Sequence, residues 1–145
     1  MCIRDRNKGG TVDVDGIKFS MVHAEHSCGI KDPAGGADLY GGEAVGYVIE
    51  FENGFTIYFA GDTDVFGDMA LIAELHSPEV AFLPIGDWYT MGPRKAAKAA
   101  QLIGARTVVP MHFATFPIFT GTPAELTKLV VGGVEVIDVR PGDTI

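Results

Sequence analysis

The chain has 145 residues, a formal net charge of −8 and a hydrophobic content of 47%, which is typical of one soluble globular domain. Its 11 Lys and Arg residues are too few for a surface that binds nucleic-acid phosphates, and no apolar run approaches the roughly 18 residues of a membrane span. With two cysteines that form no disulfide framework, we expect a cytoplasmic protein that acts on a small molecule, without nucleic-acid or membrane partners.

The first ten residues, MCIRDRNKGG, have neither the apolar segment of a signal peptide nor amphipathic periodicity. The pattern predicts a leader over residues 1–10 that is non-native or disordered. A single domain is predicted over residues 11–145.

Two β-hairpins are predicted at the start of this domain. Alternating apolar residues on both sides of Asp15-Gly16 predict strands at Thr11–Val14 and Ile17–His23. After a glycine-rich loop, residues 44–62 repeat the pattern around Asn53-Gly54, another dipeptide that tolerates positive φ.

From residue 66 onward, helical spacing alternates with short buried strands. Pro93 and Gly104 mark the start and end of one helix, and Thr122 and Glu125 have capping-box spacing in another. The fold class is therefore α/β, with hairpins followed by strand-helix units. The predicted helices are residues 66–76, 94–105 and 122–130, and the predicted strands are residues 79–87, 106–113 and 134–140.

Histidines and aspartates follow several of these strands. The residues concerned are His23, His26, Asp62, Asp87 and His112. Open α/β sheets bind ligands just outside the carboxyl ends of strands, where side chains from separate segments meet. Imidazole and carboxylate groups are ligands for zinc and similar divalent ions, although a lone histidine is more often a structural residue. His76 is assigned that structural role, because it ends a predicted helix whose last carbonyls it can satisfy.

The stretches HAEHSCG, FAGDTD and VVPMHF, in this order and at these separations, resemble the metallo-β-lactamase superfamily. The resemblance covers nearly all of the chain after the leader. It is closest to bacterial metal-dependent hydrolases similar to ascorbate-6-phosphate lactonases, in which AGDT, FLPIGD, TMGP and VVPMHF are typical. It implies that His26 binds a first metal ion, that Asp62 bridges two ions as the catalytic carboxylate, and that His112 binds the second. The implied cofactors are two divalent ions, Zn or Mn.

The first motif of that superfamily, H-x-H-x-D-H, does not occur in the sequence. The resemblance therefore implies the carboxy-terminal half of a four-layer αββα sandwich, with the active site where the two halves meet. The longer parent is expected to be a metal-dependent hydrolase in which metal-activated water attacks an ester, lactone or phosphoester-type substrate. The 145-residue chain alone is expected to be inactive, and its uncovered apolar surface predicts a homo-oligomer.

The segment GDWYTMGPRK contains further candidates. A helix that begins at Pro93 has free N–H groups that favour an anionic substrate nearby, so Asp87, Thr90 and Met91 are expected to line the approach. Ordinary helix-start chemistry, with Thr90 in a turn and Trp88 in the core, explains the segment equally well.

Three questions remain open from the residues alone. His26 is favoured over His23 as the metal ligand, and His23 is expected to support a ligand or to face the substrate. A Cys-His hydrolase could use Cys28 with His26 or His112, although no oxyanion-hole element is evident. A non-catalytic half-domain or interaction module is the other alternative.

Overall fold

The computed structural model describes residues 7–140 and 142–144, which form a mixed sheet with helices on one side. The strands in these ranges are β1 (Thr11–Val14), β2 (Ile17–His23), β3 (Gly29–Ile30), β4 (Leu39–Tyr40), β5 (Val45–Glu50), β6 (Thr56–Phe59), β7 (Val80–Pro84), β8 (Thr107–Met111) and β9 (Glu135–Val136). The helices are α1 (Met69–His76), α2 (Pro93–Ile103) and α3 (Pro123–Leu129). Seven strands form one sheet in the order β1-β2-β5-β6-β7-β8-β9, and β3 pairs with β4 separately.

The antiparallel part of the sheet consists of the two predicted hairpins. In the first, Asp15 and Gly16 both have positive φ, 51° and 87°, as the two-residue turn requires. The second turn is longer than predicted, because Phe51 N–H donates to Phe55 O over 2.9 Å. There the Asn53 side chain accepts from Phe55 N–H at 3.0 Å, and of the Asn53-Gly54 pair only Gly54 has a positive φ, 82°.

The parallel part of the sheet runs from β6 to β9, and each connection between neighbouring strands contains one helix. The expected helix signals are confirmed. Pro93 begins α2 and Gly104 ends it with a φ of 68°, while the Thr122 hydroxyl caps α3 by accepting from Glu125 N–H at 3.2 Å. The last strand, predicted over residues 134–140, is limited to Glu135–Val136. Beyond Val136 the pairing with β8 continues through one hydrogen bond, which Ile137 N–H donates to Val108 O at 3.0 Å.

All three helices pack on the same face of the sheet. Strand residues Val48, Tyr58, Leu83 and Val108 lie in one buried cluster with residues of α1, α2 and α3. This arrangement confirms the predicted fold class, in which strand-helix units follow hairpins.

The opposite side of the sheet, which we call the open face, is also apolar. Its residues alternate with those of the core and are paired across neighbouring strands; Val12, Phe19, Tyr47, Ile49, Ile57, Phe59 and Phe82 are partly or largely exposed there, whereas Met21 and Val109 are buried. Within the described ranges the three helices all pack on the opposite side of the sheet, and none packs on this face.

Part of the predicted leader belongs to the sheet. Gly9 N–H donates to Met21 O at 2.7 Å, and Met21 N–H donates to Gly10 O at 2.9 Å, so the pairing of β1 with β2 extends to residue 9. Residues 1–6 of that predicted leader lie outside the described ranges. Among the described residues, no helix has the length and hydrophobicity to cross a membrane.

Candidate functional site

A cleft of about 500 Å³ lies beyond the carboxyl ends of β6 and β8. Its lining residues are His26, Asp62, Tyr89, His112, Phe116, Ile118 and Phe119. All three residues that the resemblance implied as metal ligands therefore border one cleft. They come from three separate segments that follow β2, β6 and β8, as expected for ligands at strand ends.

His112 and Asp62 face each other in this cleft. The distance from His112 Nε2 to Asp62 Oδ2 is 3.8 Å, which is too long for a hydrogen bond. Donor atoms that share one zinc ion with bonds of ~2.1 Å lie roughly 3.4 Å apart in a tetrahedron, so the pair is close to that spacing. The other ring nitrogen, Nδ1, is buried and has no hydrogen-bond partner among the described residues.

His26 has one ring nitrogen fixed and the other available. Its Nδ1 lies 2.7 Å from the carbonyl oxygen of Ser27 and must donate to it, because a carbonyl can only accept. Nε2 is therefore the nitrogen with a lone pair. An outer hydrogen bond of this kind orients many metal-binding histidines.

The donor chemistry of two imidazoles and one carboxylate fits a divalent ion, and the spacing of His112 and Asp62 fits it as well. However, the described part of the chain contains no group of three or more His, Cys, Asp or Glu side chains that could hold a metal ion. The convergence of His26, Asp62 and His112 around one or two ions therefore remains a prediction.

Thr63 connects the segments that carry His26 and Asp62. This fully buried side chain accepts from Glu25 N–H at 2.9 Å and donates to Asp64 O at 2.7 Å. Asp64 N–H donates back to Glu25 O at 2.9 Å, and the Thr63 carbonyl accepts from Met91 N–H at 3.1 Å. The pattern that indicates this role is a hydroxyl residue between two aspartates shortly after a strand.

The loop after β7 differs from both sequence interpretations. Met91 is fully buried in the core, so it does not line the approach to the cleft, because its backbone bond to Thr63 draws it inward. Trp88, expected in the core, is 67% exposed, since positive φ at Asp87 and Trp88, 64° and 62°, turns the chain outward. Asp87 and Thr90 do not border the cleft either, and Tyr89 is the residue of this loop that does.

His23 lies in a different cleft, between β2 and α1, which it shares with His76. Its ring packs edge-on against Phe66 at 4.9 Å, and its nitrogens lie 3.2 Å from Lys8 Nζ and 3.4 Å from Glu25 Oε2. The expected role of His23 beside the substrate is therefore not supported by its position.

His76 and Cys28 lie outside this cleft. His76 ends α1 as expected, but the carbonyl of Ala73 is bound by Ser77 N–H at 2.8 Å instead of by the histidine. Cys28 has a free thiol and does not border the cleft that contains His26 and His112. The cleft therefore does not favour a Cys-His hydrolase.

The remaining lining residues form a surface that we call the aromatic wall, consisting of Tyr89, Phe116 and Phe119, with Ile118 beside them. Phe119 is at its centre, since its ring lies 6.2 Å from Tyr89, 5.6 Å from Phe116 and 4.7 Å from His112. No pattern in the sequence marked these residues, because they lie in loops without periodicity.

A mixed sheet with helices on one face, and with histidines and an aspartate at the strand ends, agrees with the metallo-β-lactamase fold that the sequence implied. The family model described as a β-lactamase superfamily domain matches residues 2–113, and the chain belongs to this family. The resemblance found in the sequence is thus confirmed.

Similar proteins support the same assignment. A UPF0173 metal-dependent hydrolase of Koribacter versatilis is 54% identical over 145 residues, which cover 98% of this chain and 60% of that protein. A second, of Solibacter usitatus, is 52% identical over 143 residues, with coverage of 98% and 61%. The structure of Igni18, described as a novel metallo hydrolase from the archaeon Ignicoccus hospitalis, has a TM-score of 0.83 and 35% identity, with coverage of 97% and 58%. The chain therefore spans about 60% of the length of these relatives.

Proposed function

We propose that this chain supplies one side of a hydrolytic metal site, with His26, Asp62 and His112 as ligands of divalent ions, Zn or Mn. The observation that carries the proposal is the approach of His112 Nε2 to Asp62 Oδ2, 3.8 Å, in a cleft that His26 also borders. The names of the relatives, metal-dependent hydrolases, support the reaction class. The substrate is an ester, lactone or phosphoester-type small molecule.

Bound divalent ions supply a water of lowered pKa and polarise the scissile carbonyl or phosphoryl group. The residues of the chain hold and orient the components. His26 presents Nε2 because its other ring nitrogen is bonded to Ser27 O. Asp62 offers a carboxylate beside His112, and Thr63 keeps the Asp62 loop attached to the segment that contains His26. Asp62 is thus the catalytic carboxylate of the proposal.

Three ligands cannot hold two ions and also fix an activated water, since even a single zinc in a catalytic site has three protein ligands. The remaining ligands are therefore assigned to a longer protein, as the greater length of the relatives suggests. On this proposal the 145-residue chain alone is inactive, and hydrolysis requires the longer protein.

Metal titration of the chain tests the ligand assignment. Zinc binding, measured by calorimetry on the 145-residue chain, should weaken by about tenfold or more in Asp62→Asn and in His112→Ala, because each removes a charged or imidazole donor. The matched controls are Asp68→Asn and His76→Ala, whose side chains lie outside the cleft. Equal zinc binding by all four variants and the unaltered chain would show that these residues are not the ligands.

The alternative is a non-catalytic half-domain or interaction module. The observations that favour it are the open face and the lack, among the described residues, of a preformed group of three metal-binding side chains. The zinc titration distinguishes the two proposals, because a non-catalytic module should bind no zinc.

A further inference from the structure

We propose that the cleft binds an apolar part of its substrate, an aryl or branched alkyl group beside the scissile ester or lactone bond, on the aromatic wall. This inference rests on the proposed function, because it takes the cleft of His26, Asp62 and His112 as the place where the scissile bond lies. It narrows the substrate class toward apolar esters and away from phosphorylated sugars.

The chemistry of the lining is the first argument. The two histidines and the aspartate of the cleft are the proposed ligands, and the other lining residues are Tyr89, Phe116, Ile118 and Phe119. Within the described ranges no Lys or Arg borders the cleft. Of the basic residues at the start of α2, Lys95 is paired with Asp64 at 2.7 Å. A substrate phosphate would therefore meet aromatic rings and no basic side chain of this part of the protein.

The exposure of the wall is the second argument. Tyr89 is 62% exposed and Phe116 is 60% exposed, although both are large aromatic residues. Small-molecule sites are typically concave and mostly apolar, with a few polar groups that orient the ligand. An aryl group that covers these rings would remove apolar surface from water on both partners, and edge-to-face packing of the rings would add to the gain.

The wall is held in place by the two loops that form it. Thr120 N–H donates to Gly86 O at 3.0 Å, which joins the loop after β8 to the loop after β7. Within the first of these loops, Phe119 N–H donates to Phe116 O at 3.0 Å. Because the backbone fixes its position, Phe119 keeps its ring 4.7 Å from that of His112.

This geometry sets the position of a bound group relative to the candidate donors. The Phe119 ring lies between 4.7 and 6.2 Å from the rings of His112, Phe116 and Tyr89, with interplanar angles of 85° to Tyr89 and 78° to Phe116. An aryl group packed on these rings therefore lies in the same cleft as His112 and Asp62. The bond next to that group would then lie beside the proposed metal ligands.

Trp88 is a suitable reporter for the test. It is the only tryptophan in the sequence, and its ring lies 6.4 Å from Tyr89 at the outer end of the wall. The 145-residue chain is titrated with methyl phenylacetate, methyl acetate and glucose 6-phosphate while tryptophan fluorescence is recorded. We expect a saturable change with methyl phenylacetate at concentrations roughly tenfold or more below those needed for methyl acetate. No saturable change, or tighter binding of glucose 6-phosphate, would overturn the proposal.

Aromatic variants identify the binding surface. Tyr89→Ala and Phe116→Ala should each weaken methyl phenylacetate binding, by roughly fivefold to tenfold, because they remove exposed rings of the wall. Phe55→Ala is the matched control, since Phe55 is 38% exposed and lies at the β5-β6 turn, away from the cleft. An equal loss in Phe55→Ala would mean that the probe binds apolar surface without selectivity, and the proposal would then be wrong.

One further variant separates this inference from the proposed function. Asp62→Asn should weaken zinc binding by about tenfold or more and retain methyl phenylacetate binding, because Asp62 is not one of the aromatic residues of the wall. If the unaltered chain bound zinc but not the ester, only the inference about the substrate would be overturned. If the unaltered chain bound the ester but not zinc, only the proposed metal site would be overturned. A fluorescence change that follows the concentration of the chain, and not that of the ester, would show that the wall contacts another copy and would count against the inference.

Discussion

Thr63 is the residue whose hydroxyl joins the segments of two proposed ligands. Thr63→Val keeps the size of the side chain but removes the bonds to Glu25 N–H and Asp64 O. We expect the free energy of unfolding to fall by about 1–3 kcal/mol in this variant. Thr63→Ser retains the hydroxyl and should lose less, and urea denaturation measures both. If the valine and serine variants were equally stable, the hydroxyl would have no role in holding the two segments together.

Tyr58 is a second residue for which the loss of one polar atom has an expected effect on the stability of the protein. The side chain is fully buried in the core, and its hydroxyl has no hydrogen-bond partner among the described residues. Because an unpaired buried hydroxyl is unfavourable, Tyr58→Phe should be neutral or should stabilise the protein by up to about 1 kcal/mol. A loss of stability in thermal unfolding would indicate that the hydroxyl has a partner in solution.

The same residue predicts a dependence on pH. Burial raises the pKa of Tyr58 above its ordinary value of 10.0. The folded state therefore holds the phenol proton more tightly than the unfolded state does. The resulting contribution of Tyr58 to the free energy of unfolding is complete below about pH 10 and is lost as the pH rises above it. The decrease in unfolding temperature between about pH 10 and pH 11.5 should be smaller in Tyr58→Phe than in the unaltered chain.

For individual residues, the stretches that resemble a family predicted that His26, Asp62 and His112 share one site. All three border one cleft, and their role as metal ligands stays a prediction. Met91 and Trp88 were misplaced because their burial depends on the path of the loop, in which Met91 N–H bonds to Thr63 O while two residues take positive φ. Neither property can be read from hydrophobicity, and the same is true of Tyr89 and Phe119.

At the scale of secondary structure, local signals were more informative. The Thr122 cap gives a direct test, because its hydroxyl accepts from Glu125 N–H at 3.2 Å at the start of α3. Thr122→Ala should lower the free energy of unfolding by about 1 kcal/mol. Thr120→Ala is the control, since the bond that Thr120 makes to Gly86 uses its backbone. Equal stability of the two variants would mean that the cap makes no net contribution.

The elements that the sequence predicted least well are those fixed by distant partners. The hairpin at Asp15-Gly16 has the expected turn, whereas the turn at Asn53-Gly54 is enlarged by the bond between Phe51 and Phe55. Strand β9 is limited to Glu135–Val136 because pairing with β8 ends near there. Caps and tight turns depend on neighbouring residues, but strand lengths depend on the partner strand.

At the scale of the whole molecule, the open face should determine how the chain behaves in solution. Phe59 is 41% exposed on this face and stacks on Phe82 at 5.6 Å. Exposed apolar side chains on one face of a sheet promote association, so we expect the sedimentation coefficient of the 145-residue chain to increase with its concentration. Phe59→Glu should reduce that increase, whereas Phe55→Glu, at the end of a hairpin, should change it little. A chain that stays monomeric at all concentrations would contradict the expectation.

The mixed topology also determines the order in which the cleft can form during folding. The hairpins β1-β2 and β5-β6 connect neighbouring segments, and such hairpins form within about 1–10 μs. The parallel pairs β6-β7 and β7-β8 each require a helical crossover, and the loop-closure entropy of such distant contacts makes them slower. Asp62 follows β6 and His112 follows β8, so we expect the two side chains to meet only after both crossovers have closed. On this expectation most of the sheet forms before the pair does, and an ion that needs both residues binds late in folding.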